Sequence, residues 1–454
     1  MVDVKKGALL KDTKDIYIRG NRITGIATHA NRYPKPDTKV IDGSGKYIIP
    51  GLWDMHAHPD DPEMWRMPPD AASRDLLLPL FVLYGVTGIR DMAGSMETIK
   101  AWKTNIKKKE LLGPEVFACG PLLDGPNPMW DGSVGIASLD KVRIVVDSLK
   151  ATGADFLKVY SLLPDSTYFE LSRYAKSIHF PFVGHVPFTV TTVEASITGM
   201  KSQEHLLNLL IDCSTVADQI YNNTLDYGDI TDALDKYIFR NNLIMDTYDP
   251  QKAKAIFKVF VQNKTWHTPT ISMWYKNAYF EEEVKKDSIY YPYLPQYMRK
   301  YWQPEVNDHL QRRSPEIIDL KKRLVSRYLQ VINKMNEAGV KLLAGTDMGA
   351  NPLCFPGISL HNELALLVEA GLTPAEALKT ATINPALFLE VEKDYGTVTK
   401  GKVADLVILD ENPLEDITNT RKIFAVVRNG EVLSAESIKA ELKAIEYIQA
   451  DPKD

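Results

Sequence analysis

Cysteine is scarce in this chain. Three residues in 454, Cys119, Cys213 and Cys354, lie far apart and show no C-x-x-C spacing. An odd, scattered set argues against a disulfide framework and against a thiolate zinc site, and each reads as a small buried hydrophobe. No uninterrupted apolar run is long enough to cross a bilayer, so no membrane association is expected. Positive charge is not in excess either: 54 Lys and Arg against 59 Asp and Glu leave a net charge of −5. That balance gives no footprint for nucleic acid. Internal repeats and low-complexity tracts are missing, which argues against a solenoid. Residues 1–10 hold no signal-peptide apolar region. This fits a cytoplasmic protein, and equally an exported one whose leader has been cut away.

What is present is an alternation of short apolar strands with helical segments. Strands are read at Tyr47–His58, Gly85–Met92, Val116–Gly120, Asp155–Tyr160, Pro181–His185, Lys201–His205, Trp266–Ile271 and Lys341–Asp347. Eight such strands with helices between them, in a chain of this length, predict a (β/α)8 TIM barrel, an α/β fold. Residues 13–27 alternate around Gly20-Asn21 as a hairpin, and Lys39–Ile41 reads as a further short strand. The character turns to β again after 396, with Val403–Leu409 and a hairpin around Asn429-Gly430. The expected organisation is therefore 1–50 and 391–436 as two parts of one small β-sandwich, 51–390 as the barrel, and 437–454 as a helical tail. Two insertions, about 207–264 and 272–340, exceed what a plain barrel needs. The second is rich in aromatics between Trp274 and Trp302 and is a candidate substrate wall. Most of those rings are expected to pack helices together, and Glu281–Asp287 is expected to be a solvated helix face. Thr373-Pro-Ala-Glu376 carries the signature of a capped helix start.

The chain is organised around Tyr47–His58. Its apolar run ends in His56 and His58, whose two-residue spacing puts both imidazoles on one face of a strand. Paired neutral imidazoles suit zinc and related metals. In a barrel, reactive groups gather at the carboxyl ends of strands, and those positions also hold Lys158, His185, His205 and Asp347. Lys158 sits in an otherwise apolar strand. Its head either escapes to water or pairs with a carboxylate, or it reacts with carbon dioxide to give a carbamate able to bridge two metals. Asp347 ends an apolar strand and needs a partner, for which a metal is suited; the structural alternative is an N-cap. Tyr160, His267 and His361 are weaker candidates for substrate contact.

Pro50–His58, His361–Leu378, Ala381–Pro385 and Gly401–Leu409 together resemble the amidohydrolase superfamily, in the branch of imidazolonepropionase-like hydrolases and metal-dependent Xaa-Pro and Xaa-Arg dipeptidases. The resemblance implies two divalent metal ions, zinc foremost. His56, His58 and Asp347 would hold one, His185 and His205 the other, and a CO2-derived carbamate on Lys158 would bridge them. A hydroxide shared by the metals would cleave a C–N amide bond in a small-molecule or peptide-like substrate, a dipeptide or N-acyl amino acid, with Asp347 as proton carrier and Tyr160 holding the carbonyl oxygen. The alternatives are an ester, lactone or phosphoester hydrolase on the same centre, a one-metal deaminase or cyclic amidase, and a barrel kept for binding alone. The aromatic helices are compatible with a homo-oligomer.

Overall fold

The structure is a computed structural model that describes residues 1–30, 38–60, 75–311 and 313–450. The barrel strands, first to eighth, are Leu52–Ala57, Val86–Asp91, Glu115–Ala118, Leu157–Val159, Phe182–Gly184, Ser202–Glu204, Trp266–Thr268 and Lys341–Leu342. Neighbours pair in parallel. The ring closes through Met55 N–H to Ala344 O at 2.9 Å, and Asp155 N–H bonds Ala118 O at 2.8 Å between the third and fourth strands. Two further short strands, Leu123–Asp124 and Val134–Gly135, extend the sheet beside the fourth.

Alternation along the strands builds two apolar layers. Leu157 and Val159 point outward into the main core, which they share with Leu80, Phe81, Ile89, Val116 and Leu364. Phe156 and Val183 point inward and join Trp53, Met55, Leu343 and Phe388 as an apolar floor inside the barrel. Lys158 is paired in register with Val183 and therefore also faces inward, above that floor. The long helix Pro315–Glu337 shows how the outer layer is specified. Ser314 caps it by accepting from Ile317 N–H, Pro315 occupies the first turn, and Ile317, Leu320, Leu324, Tyr328, Val331 and Met335 fall on its buried face.

Both chain ends contribute to an antiparallel sheet beside the barrel. Tyr47–Pro50 pairs with Leu406–Leu409, which pairs with Ile423–Arg428, which in turn pairs with Glu431–Ser434. The hairpin of Lys14–Arg19 and Arg22–Thr28 packs on it through Ile23, Leu406, Ile408 and Val427. The run expected as one strand from Tyr47 to His58 is thus divided. Its first part belongs to this sheet, its second to the barrel, and Gly51 N–H bonds Asp405 O between them.

Two expectations need correction. Lys39–Ile41 forms no strand; Val40 is exposed and pairs with no strand among the described residues. Glu281–Asp287 is not a wholly solvated face, because Asp287 is buried in an ion pair with Lys276 at 2.7 Å. The sequence after His58 reads as a proline-bearing loop leading to a helix over about 71–83; of this, residues 61–74 lie outside the described residues, and the helix is described from Leu77 to Leu83. No helix among the described residues is long and apolar enough to cross a membrane.

Candidate metal centre

Six side chains from five strands converge at the carboxyl end of the barrel. Asp347 Oδ1 lies 3.3 Å from His56 Nε2 and 3.2 Å from His58 Nε2. Lys158 Nζ is 3.2 Å from His56 Nε2. The His205 ring stands 4.4 Å from that of His56 and 4.8 Å from that of His185. All six are buried. His56, His58 and Asp347 offer ligand atoms within 4.8 Å of one another, close enough to hold one metal ion.

The backbone is bent to deliver these groups. His205, Thr270 and Asp347 all have positive φ (62°, 46° and 58°) just past their strands. Such residues cost about 1–3 kcal/mol each and gather where function demands them. Asp347 is held there by its N–H bonding His56 O at 2.8 Å; it is not an N-cap, because the next helix begins at Ile358 with Gly357 in the cap position. Gly349 permits the same tight passage: at φ 96°, a Cβ on it would lie 2.3 Å from His58 O.

Polar groups behind the ring orient the imidazoles. His56 Nδ1 meets Glu204 Oε2 at 2.9 Å, and Glu204 is itself paired with Arg90 and accepts from Ser202 Oγ. A carboxylate can only accept, so Nδ1 carries the proton and Nε2 presents its lone pair to the centre. His205 Nδ1 lies 2.8 Å from Thr270 Oγ1, whose hydroxyl donates to Pro269 O. His205 is thereby fixed in the same tautomer. His185 Nδ1 pairs with Ser161 Oγ at 2.8 Å. Asn351 donates to Asp347 Oδ2, leaving Oδ1 facing the histidines without a hydrogen-bond donor. Asp54 accepts from the Thr346 hydroxyl at 2.6 Å and ties the first strand to the eighth.

Sequence reasoning missed these orienting groups. Arg90 carried a signal, as a long charged side chain within the strand Val86–Asp91, whereas Glu204 lies in the polar strand Ser202–Glu204 and carried little. Ser161, Thr270 and Asn351 carried none, because hydroxyl and amide residues occur at strand ends everywhere.

The electrostatics favour neutral ligands. Burial, reinforced by neighbouring positive groups, pushes His56 and His185 well below the ordinary imidazole range, and burial lowers His58 too. Burial takes His205 down to about 4. Lys158 is lowered by burial, which favours the neutral amine. Burial alone would raise Asp347, but His205, His58 and Lys158, when they carry their protons, outweigh it and hold its carboxyl below the ordinary range.

Of the weaker candidates, Tyr160 is at the site. It stacks on His185 at 4.0 Å and accepts from Trp130 Nε1 at 2.6 Å. His267 and His361 are not, which corrects the expectation of substrate contact. His267 points out of the barrel onto Phe260, because its strand position has the opposite parity to Thr268, whose hydroxyl reaches Arg90 inside. His361 bonds Tyr84 O and Thr420 Oγ1 at the entry to the second strand, the other end of the barrel. The aromatic segment contributes mostly packing: Trp302, Tyr290 and Tyr291 surround Phe355, behind the loop that follows Asp347.

Residues 269–433 match the amidohydrolase family. Ochratoxinase from Aspergillus niger is 38% identical over 96 residues, 21% of this chain and 19% of that protein, so the chain spans about a fifth of that relative's length in the match. The solved structure of a bottromycin amidohydrolase superposes with a TM-score of 0.74 at 23% identity, covering 96% of this chain and 86% of its own. A Xaa-Pro dipeptidase with bound methionine gives 0.63 at 19% identity, covering 92% and 94%. Residues 269–433 thus resemble the amidohydrolase family, and the chain as a whole shares the (β/α)8 barrel fold of those structures.

Proposed function

We propose that this protein is a metal-dependent hydrolase of a C–N amide bond, in a dipeptide or an N-acyl amino acid. One observation supports the reading above the others. His56 Nε2, a lone pair by the tautomer that Glu204 imposes, faces the donor-less Asp347 Oδ1 across 3.3 Å. Two acceptors held that close in a buried site fit a cation between them.

His56, His58 and Asp347 would hold one divalent ion, zinc foremost, and His185 and His205 a second. Lys158, as a carbamate, would lie between them; its neutral Nζ adds to carbon dioxide and loses a proton to leave two carboxylate-like oxygens. Ions bound there polarise a carbonyl oxygen and make water more acidic. The chain's own groups do the rest. Asp347 takes the proton as water adds to the carbonyl carbon, and returns it to the nitrogen as the C–N bond breaks. Asn351 holds Oδ2, so that Oδ1 points at the reacting atoms. Tyr160, stacked on His185, stands where the carbonyl oxygen would be held. The resemblance in fold to the Xaa-Pro dipeptidase and the bottromycin amidohydrolase supports an amide over an ester.

The test is elemental analysis of the purified protein for ions per chain, with hydrolysis of a panel of dipeptides and N-acyl amino acids beside matched esters and lactones. Two ions per chain and amide turnover lost on chelation are expected. Full turnover after thorough chelation, or cleavage of esters alone, overturns the reading.

A further inference from the structure

Four large apolar side chains lie in water beside the metal centre. Met129, Trp130, Leu162 and Phe188 are each between 38% and 52% exposed. They sit on three loops, after the third, fourth and fifth strands, and so on the same rim as the ligands. Trp130 reaches His185 through one intermediate ring, since its indole donates to Tyr160 and Tyr160 stacks on His185.

These loops are held in place. The buried Asp124 accepts from Met129 N–H at 3.0 Å with one oxygen and from Leu162 N–H at 2.7 Å with the other. Phe188 N–H bonds Ser161 O at 3.0 Å, and the Ser161 hydroxyl pairs with His185. The loops pass so close that a Cβ on Gly125 would lie 2.3 Å from Leu162 O. A buried carboxylate shared by two loops fixes a surface that loose side chains would not form. Exposed apolar side chains on fixed loops at the rim of a polar centre, one of them linked to it through Tyr160, are the usual makings of a ligand site.

We propose that Met129, Trp130, Leu162 and Phe188 form a specificity wall, and that the substrate carries an aromatic or large aliphatic side chain that lies against it. The inference rests on the hydrolase reading above and adds the substrate's chemistry. Trp130 and Phe188 supply flat faces for a ring, and Leu162 and Met129 the aliphatic contacts around it.

The experiment compares kcat/KM for paired amides that differ only by Phe or Ala, at each of the two positions flanking the scissile bond. The wild type is expected to favour Phe at one position by about tenfold or more, and W130A and F188A each to bring that ratio toward one. Metal content per chain and far-UV circular dichroism check that the variants are folded and loaded. Calorimetric titration with N-acetyl-L-phenylalanine and N-acetyl-L-alanine reads the same wall without turnover. Tighter binding of the phenylalanine compound, lost in W130A, supports the wall even when no amide is cleaved, an outcome that sinks only the hydrolase reading. Equal handling of Phe and Ala by the wild type, or a ratio unmoved in both variants, overturns the proposal. So does a wild type that self-associates while F188S is monomeric with the ratio intact, since the patch would then join two copies of the chain.

Discussion

At the scale of single residues, the hydroxyls behind the imidazoles make the sharpest prediction. Ser161→Ala removes the only orienting partner described for His185 Nδ1 and little volume. Metal affinity is expected to fall 10- to 100-fold, roughly the cost of losing such a partner, and chelator competition measures it. The fold should be kept, because a small hydroxyl alone is lost. His267 gives a second prediction, in stability. Buried on Phe260 with neither ring nitrogen hydrogen-bonded, it has its pKa lowered by desolvation to about 3. The unfolded chain therefore takes up this proton first as pH falls below about 6.5, and the folded state loses stability from there down to about pH 3. His267→Leu abolishes that loss. Its advantage in urea unfolding should grow by about 2 kcal/mol between pH 7 and pH 5, the difference of about 1.5 pKa units at roughly 1.4 kcal/mol each. An advantage that shrinks as the solution is acidified would mean that His267 has a partner in the folded protein.

At the scale of elements, the helices after the seventh strand are pinned to the metal loop by one buried charge. Lys276, on the helix Ile271–Ala278, pairs with Asp287 at 2.7 Å and donates to Leu353 O in the loop that follows Asp347. Lys276→Met leaves Asp287 buried without a counter-charge, which should destabilise the protein by about 3–5 kcal/mol in chemical unfolding. Replacing both residues, Lys276→Met with Asp287→Leu, should restore most of it, since the desolvation cost disappears with the pair. This pair also shows why parts of the sequence were misleading. Asp287 ends an acidic-then-basic run that looks solvated, and its partner is on a different helix, so only tertiary packing reveals it. Where the signal is local, the sequence was legible. The Thr373 capping box forms both of its reciprocal bonds, and the pairing of inward and outward residues in the fourth strand follows from alternation alone. The convergence of the six candidate side chains was legible for the same reason, because a histidine, lysine or aspartate ending a short strand of a barrel has one direction to point. His267 was misjudged by a single position of parity. His361 was misplaced because a helix after the eighth strand passes both ends of the barrel.

At the scale of the whole molecule, the proposed ligands come from the first, fourth, fifth, sixth and eighth strands, so an ion held among them would brace the barrel across its width. Chelation should lower the melting temperature, and zinc should restore it. Each ion at a hundred times its dissociation constant adds about 2.7 kcal/mol, and a thermal shift assay follows the change. A melting curve indifferent to chelator and metal would argue that no ion binds the folded state.

The run from Tyr47 to Ala57 belongs to two sheets at once: four residues lie on the appended antiparallel layer, and the next six carry the first imidazole into the barrel. The appendage therefore cannot be exchanged like a bead on a string. Any chimaera that imports this layer from another protein imports a barrel strand with it, and His56 on that strand. Recombination that separates the two would cut through the first barrel strand, so lineages built this way inherit appendage and strand as one piece.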